Sequence, residues 1–279
     1  MLQLDDEEVP AIVLDTGRFV VAYKPAGMHS APPGRHAQAG ESLSFAVWLA
    51  AQRPAAGKVH GKREGEGGMV HRLDRDTRGL VLFALDDDAF SFFEGAAATG
   101  RFKKRYRVEA EPVGFGLPGS RPLLGCPQSV AAADWAKDLR ARDAGRLAER
   151  LGGRSVASRF RPYGPGARRV ACGDVALVDN GSGTDKRWTE RVYRSQILDA
   201  RAEGCVVMAR VELTGGFRHQ IRAHMAWLGL PLLGDELYGE GGQPLALVAY
   251  ALDVPDPDGG PDVSVELDLA LMPNAKYHR

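Results

Sequence analysis

The sequence predicts an α+β fold built on a mixed, largely antiparallel sheet with flanking helices. Short runs of β-branched and aromatic residues recur near 11–15, 18–24, 80–85, 105–109, 156–161, 168–172, 191–198, 205–213 and 245–252, too many and too close together for an alternating βα order. At 279 residues and 44% hydrophobic content, the chain can bury a substantial core. There is no internal repeat.

The first two runs are separated by Asp15-Thr16-Gly17, a turn signal that makes them a hairpin. Lys24-Pro25-Ala26-Gly27-Met28 then ends the ladder in a tight turn. A helix is expected over 42–51, opened by Glu41 or Ser42. Residues 54–68 are rich in glycine and charge, which predicts a mobile surface loop. After the strand at 80–85, Asp86-Asp87-Asp88 supply capping carboxylates for a helix over 89–98 that Gly100 closes. At 105–109 the alternation puts Tyr106 and Val108 on one face and Arg105, Arg107 and Glu109 on the other.

From 111 to 153 the texture changes to prolines and glycines followed by a helical spacing of Trp135, Leu139, Leu147 and Leu151, as in an insertion. The last helix is marked by Ile221, Met225 and Leu228 at i, i+4 and i+7, with Gly229 ending it and Pro231 forbidding its continuation. That spacing sets Arg218 and Arg222 one turn apart, where two guanidiniums can grip a carboxylate or phosphate. A turn over 233–239 precedes the strand at 245–252.

Composition excludes several classes. No apolar run is long enough to cross a bilayer, and the acidic start Leu4-Asp5-Asp6-Glu7-Glu8 lacks the features of a signal peptide, so a cytoplasmic location is expected. Cys126, Cys172 and Cys205 lack paired spacing and suggest neither a disulfide framework nor a zinc site. Thirty-six basic and 36 acidic residues cancel, which argues against indiscriminate coating of nucleic acid. Their distribution differs from their sum. Arg101, Lys103, Lys104, Arg105 and Arg107 form one acid-free cluster, and Arg154, Arg159, Arg161, Arg168 and Arg169 another, either of which can hold a phosphate backbone or simply be a solvated face.

The chemistry concentrates in two stretches. Val70-His71-Arg72-Leu73-Asp74-Arg75-Asp76-Thr77-Arg78-Gly79-Leu80 crowds charge between apolar runs, on a loop entering a sheet. The second runs from Leu213 to Gly239. His219 and His224, five apart, turn away from each other on a helix, so no metal is expected. No phosphate-cradling glycine loop and no nucleophile elbow occur. What remains is an aspartate, an arginine and a tyrosine near basic clusters.

These residues carry a resemblance to the RluA-type pseudouridine synthases. His71-Arg72-Leu73-Asp74 with Thr77, Gly79 and Leu80 resembles the family's HRLDxxTSGL motif. Residues 213–239 resemble LxTGRTHQIRxHxxxxGxPxxGDxxYG, with Thr214, Gly215, His219, Gln220, Ile221, Arg222, His224, Gly229, Pro231, Gly234, Asp235, Tyr238 and Gly239 in step. Residues 23–28 are similar to its NKPAGL segment, 104–106 to KxY and 160–165 to FRPYGP. Three departures stand out. Arg78 replaces a serine, Gly216-Phe217-Arg218 stands for an Arg-Thr pair, and residues 244–249 lack the basic residue and histidine of RLxLHA.

The resemblance implies the pseudouridine synthase fold with a central cleft, as a single catalytic domain over 1–279 with an insertion at 111–153 and no N-terminal S4-like domain. It implies an isomerase that detaches uracil from C1′ of its ribose and rejoins it through C5, on ribosomal or transfer RNA, without cofactor or metal and as a monomer. Residue by residue, Asp74 becomes the nucleophile, Arg222 the partner that keeps it ionised, and Tyr106 the ring stacked on the uracil. Arg72 fills the gap left by the flipped base or holds its phosphate, and Leu245 supports the base edge. His219, Arg218 and Lys104 complete the substrate contacts. A catalytically silent RNA-binding protein or RNA chaperone is the alternative, motivated by the altered 244–249 block. An aspartate hydrolase would need a second carboxylate, for which Asp76 is the candidate in sequence.

Overall fold

The computed structural model describes residues 8–32, 43–113, 126–175 and 188–268. The chain divides into two compact units, Met1–Lys104 with Val248–Arg279, and Arg105–Leu247. Both combine helices with largely antiparallel strands, so the α+β expectation holds. Among the described residues no helix is long and apolar enough to cross a membrane.

In the first unit, β1 (Ala11–Asp15), β2 (Phe19–Lys24), β3 (Arg78–Ala84), β9 (Leu247–Val254) and β10 (Val263–Glu266) lie side by side in the order β1-β2-β3-β9-β10. Only β3 and β9 pair in parallel. The continuous apolar runs of β2 and β3 follow from burial on both faces. Phe19, Val21, Leu80 and Leu82 pack with Phe90 and Phe93 of α3 (Asp87–Ala98). Phe83 points the other way and meets Phe45 of α1 (Phe45–Gln52), ring centroids 5.6 Å apart. Asp86 caps α3 by accepting the Ala89 amide at 2.7 Å. The expected opening of α1 at Glu41 or Ser42 lies outside the described residues.

Residues 54–68, expected as a mobile surface loop, are helical over Pro54–Lys58 and continue in bends and turns over 59–68. Pro54–Lys58 forms α2, and the glycines that follow serve close packing rather than freedom. A Cβ on Gly61 would fall 2.0 Å from the Gly67 carbonyl oxygen, one on Gly67 2.4 Å from that of Ala56, and one on Gly68 1.9 Å from that of Ala84. A main-chain bond from Gly68 to Ala56 ties the segment back onto α2, and bonds from Ala84 to Gly68 and Val70 to Leu82 fasten its end to β3.

In the second unit the order is β4 (Lys103–Ala110), β8 (Val206–Leu213), β7 (Tyr193–Glu203), β5 (Ser155–Tyr163), β6 (Arg169–Gly173). Helix α6 (Gln220–Trp227) packs against β5, β6 and β7, around Phe160, Val170, Cys172, Ala223 and Ala226. The 132–151 stretch is two helices rather than one. Arg142, in left-handed backbone at φ 50°, ends α4 (Ala132–Ala141), and the Asp143 side chain caps α5 (Ala144–Leu151). Trp135 donates to the Leu228 carbonyl at 2.9 Å, tying α4 to the end of α6, while α5 packs against β7 and β8.

Alanine at Gly68 separates a mobile loop from a packed one. A loop would tolerate it within about 0.5 kcal/mol, whereas the observed contact predicts a loss of about 2–4 kcal/mol. Urea unfolding of Gly68→Ala measures it, and an unchanged midpoint would refute the packing argument.

Candidate active site

Asp74 is half-buried on a turn leading into β3, and the turn is held by bonds on both sides of it. Ser30 clamps Leu73, its hydroxyl donating to the carbonyl at 2.6 Å and accepting from the amide at 3.1 Å. The Thr77 amide closes on the Asp74 carbonyl at 3.1 Å, and Arg75 Nε reaches the Gly27 carbonyl at 3.1 Å. Gly79 follows at φ 128°, where a Cβ would lie 2.2 Å from the Ala249 carbonyl oxygen of β9. Here glycine is required by both backbone angle and space.

Beneath the turn lies Lys24, a fully buried lysine. Its ammonium donates to the carbonyls of Pro25 and Met28 at 2.8 Å and of Arg75 at 3.0 Å. Burial lowers its pKa to about 8, against the pull of Asp76, Asp74 and Glu8. One cation thus joins the end of β2, the 25–28 turn and the Asp74 turn. Reading the sequence assigned Lys24 no role, although it sits in the segment similar to NKPAGL. Arg78, at a position of departure, pairs with Glu8.

On the other side of Asp74, Arg72 is half-exposed and donates from Nη1 to the buried carboxylate of Glu66 at 3.1 Å. His71 Nε2 accepts the Leu82 amide at 3.3 Å. Burial, reinforced by Lys104 and Lys62, holds the pKa of His71 well below the usual range, so the ring is neutral. A hollow of about 490 Å³ adjoins this region, lined by Ala46, Ala50, Val59, Phe83 and Glu66, but Asp74 is not on its wall.

Along β4 the burial alternates as the sequence predicts. Lys104, Tyr106, Val108 and Ala110 are buried, whereas Arg105, Arg107 and Glu109 are half-buried, Arg107 pairing with Glu109 at 2.8 Å. Lys104 Nζ lies 5.4 Å from the centroid of the Phe102 ring.

In the second unit, Arg222 makes a two-pronged ion pair with Asp235, Nε to Oδ2 at 2.8 Å and Nη2 to Oδ1 at 2.7 Å. Asp235 is fully buried and also accepts the amides of Leu237 and Tyr238. Its carboxylate therefore fixes the guanidinium and folds the following turn at once. The Tyr238 hydroxyl accepts the Val170 amide at 2.8 Å and meets His219 Nδ1 at 3.1 Å. Leu245 is buried beside the main-chain bond from Ala246 to Leu233.

The two guanidiniums expected one turn apart on a helix are not so placed. His219 takes a left-handed φ of 56° and the helix begins at Gln220, so Arg218 precedes it and donates to the carbonyls of Ala167 and Arg169. His224 is held between two serines, Nε2 to Ser158 at 2.9 Å and Nδ1 to Ser195 at 2.8 Å. Several cations of the two basic clusters are likewise engaged. Arg154 bonds the Arg150 carbonyl, and Arg159 bonds those of Val175, Thr189 and Glu190. Among the described residues no group of three or more His, Cys, Asp or Glu side chains is placed to hold a metal ion. Asp74 and Lys24 belong to the first unit, Arg222 and Tyr106 to the second.

Replacing Lys24 by methionine removes the donor from three carbonyls and should cost about 2–4 kcal/mol in denaturant unfolding. An unchanged stability would refute the clamp. His224 makes a second test. Burial lowers its pKa from 6.5 to about 3. Between those values the unfolded chain binds a proton that the folded chain refuses, so stability falls as pH drops, by about 1.4 kcal/mol per pH unit. His71 acts in the same direction. His224→Asn should make the fall from pH 6.5 to 4.5 shallower, as read from unfolding midpoints. The same slope in both proteins would contradict the buried neutral ring.

Comparison with known proteins gives one consistent family. The chain matches the RNA pseudouridylate synthase family over residues 18–227. The uncharacterized RNA pseudouridine synthase YhcT of Bacillus subtilis (strain 168) is 25% identical over 231 residues, covering 82% of this chain and 58% of that protein. The ribosomal large subunit pseudouridine synthase D of Zymomonas mobilis subsp. mobilis is 26% identical over 237 residues, covering 84% and 58%. The chain thus spans less than two thirds of the length of either relative. The solved structure of human RNA pseudouridylate synthase domain containing 1 shares the fold, with a TM-score of 0.56 at 17% identity over 95% of this chain and 86% of that one.

Proposed function

Since the chain belongs to the RNA pseudouridylate synthase family, we propose that it isomerises uridine to pseudouridine in structured ribosomal or transfer RNA, with Asp74 as the catalytic residue. The observation that carries this reading is the Asp74 turn itself. Ser30 and Lys24 hold the residues on either side of Asp74. A carboxylate that served only as a surface turn cap would not need a buried ammonium and a buried hydroxyl to fix its neighbours. Preorganisation of that kind suits a group that must meet a reacting atom in one geometry.

In the proposed reaction the N1–C1′ bond of the uridine breaks, the uracil turns, and a C5–C1′ bond forms. C5 gives up its proton to solvent and N1 gains one, so the sum is an isomerisation. The target base must leave its stack to be reached. Asp74 supplies the carboxylate that takes part at the nucleoside. Arg222, already oriented by Asp235, supplies positive charge to the reaction. Tyr106 stacks on the uracil and Leu245 supports the base. Arg72, steadied by Glu66, occupies the space the base has left or grips its phosphate, and His219, Arg218 and Lys104 contact the RNA nearby. The name of the Zymomonas relative, which places its activity on the large ribosomal subunit, puts ribosomal RNA first among the pools to assay. A cytoplasmic, monomeric enzyme fits this role.

Release of tritium from RNA labelled at uridine C5 tests the reading, because C5 loses its hydrogen when it becomes the glycosidic carbon. The wild type should release tritium from unmodified ribosomal or transfer RNA. Asp74→Ala should fold and bind RNA but lose activity by about a thousandfold or more. No release from either pool by a folded, RNA-binding wild type would instead make the protein a silent binder.

A further inference from the structure

Arg191 lies outside every motif that carries the family resemblance, yet the second unit is built to display it. The residue is exposed. On one side its guanidinium sits 5.3 Å from the centroid of the Tyr193 ring. Its Nη2 also lies near the turn at Gly215, where a Cβ would come within 2.9 Å of it. Tyr193 is 5.0 Å from Phe217, and Phe217 lies flat on the buried Phe160, with centroids 4.8 Å apart and planes within 2°. The rings therefore form a ladder from the core through two half-buried aromatics to an exposed guanidinium.

Arg218, next in sequence to Phe217, is exposed and donates to the carbonyls of Ala167 and Arg169. Among the described residues, neither Arg191 nor Arg218 forms an ion pair with a carboxylate. Two guanidiniums without counter-ions beside half-exposed rings offer positive charge and flat π surfaces together. An unpaired nucleotide has the complement of both, a phosphate and a free base face, whereas a duplex hides its base faces and presents phosphate alone.

We propose that Arg191, with Tyr193 and Phe217, is a stacking platform for an unpaired nucleotide of the RNA, whose phosphate Arg218 holds. This deepens the isomerase reading and rests on it for the identity of the polymer. It implies that the preferred substrate carries single-stranded nucleotides, as in a loop or bulge.

The test is fluorescence anisotropy of the full chain with a short unpaired oligoribonucleotide and with a duplex of the same composition, over a series of salt concentrations. Arg191→Gln should weaken binding of the unpaired strand about tenfold and reduce the salt slope by about one contact. Arg191→Lys keeps the charge but not the plane, so it should keep the slope and still bind the unpaired strand poorly. Thermal unfolding should be unchanged in both. Equal affinities for wild type and Arg191→Gln, or equal losses on both RNAs, would overturn the platform. Tritium release by the wild type separates the two ideas. Release together with unchanged Arg191→Gln binding ends this proposal alone, whereas no release together with a selective Arg191→Gln loss ends the isomerase reading and leaves the platform standing.

Discussion

The burial of one ammonium group organises the first unit. Lys24 has no access to water, so its charge must be met by the protein. The carbonyls of Pro25, Met28 and Arg75 meet it. Because Arg75 directly follows Asp74, the lysine fixes the backbone beside the acid. Asp74 and Asp76 in turn favour the charged form of the lysine, partly offsetting what burial costs. Turn, strand end and acid thus stand or fall together.

A parallel economy serves the second unit. Asp235 is one carboxylate with four donors, two from Arg222 and two from the main chain of its own turn. The turn that presents Tyr238 is shaped by the same group that aims the guanidinium. His224 shows the other solution to burial, since a neutral ring between two hydroxyls needs no counter-charge.

Much of this was legible in the residues. The strands, the capping of α3 by Asp86 and the alternation around Tyr106 follow local rules of pleat, cap and period, and the structure repeats them. Composition misled at 54–68, because glycine and charge are the marks of a loop, while the reason for these glycines is a tertiary approach of backbone to backbone that no local pattern records. Helical spacing misled at 218–222 for a similar reason. Arg218 has the right interval from Arg222, but the left-handed His219 between them resets the backbone direction. Lys24 and Asp235 were visible only as letters of motifs, since burial and partnership depend on residues dozens of positions away.

The contacts of Gly61, Gly67 and Gly68 have a further consequence for how this chain can change. Each is a meeting of main chain with main chain, with no side chain at either end. A clash between side chains can be relieved by trimming the neighbour, so a sequence can drift through paired substitutions. Here the neighbour is a carbonyl, which every amino acid carries, and nothing can be trimmed. The segment ahead of Asp74 is therefore closed to compensated exchange at these positions. Variation must be taken up elsewhere, at exposed charged residues between the glycines such as Arg63 and Glu64.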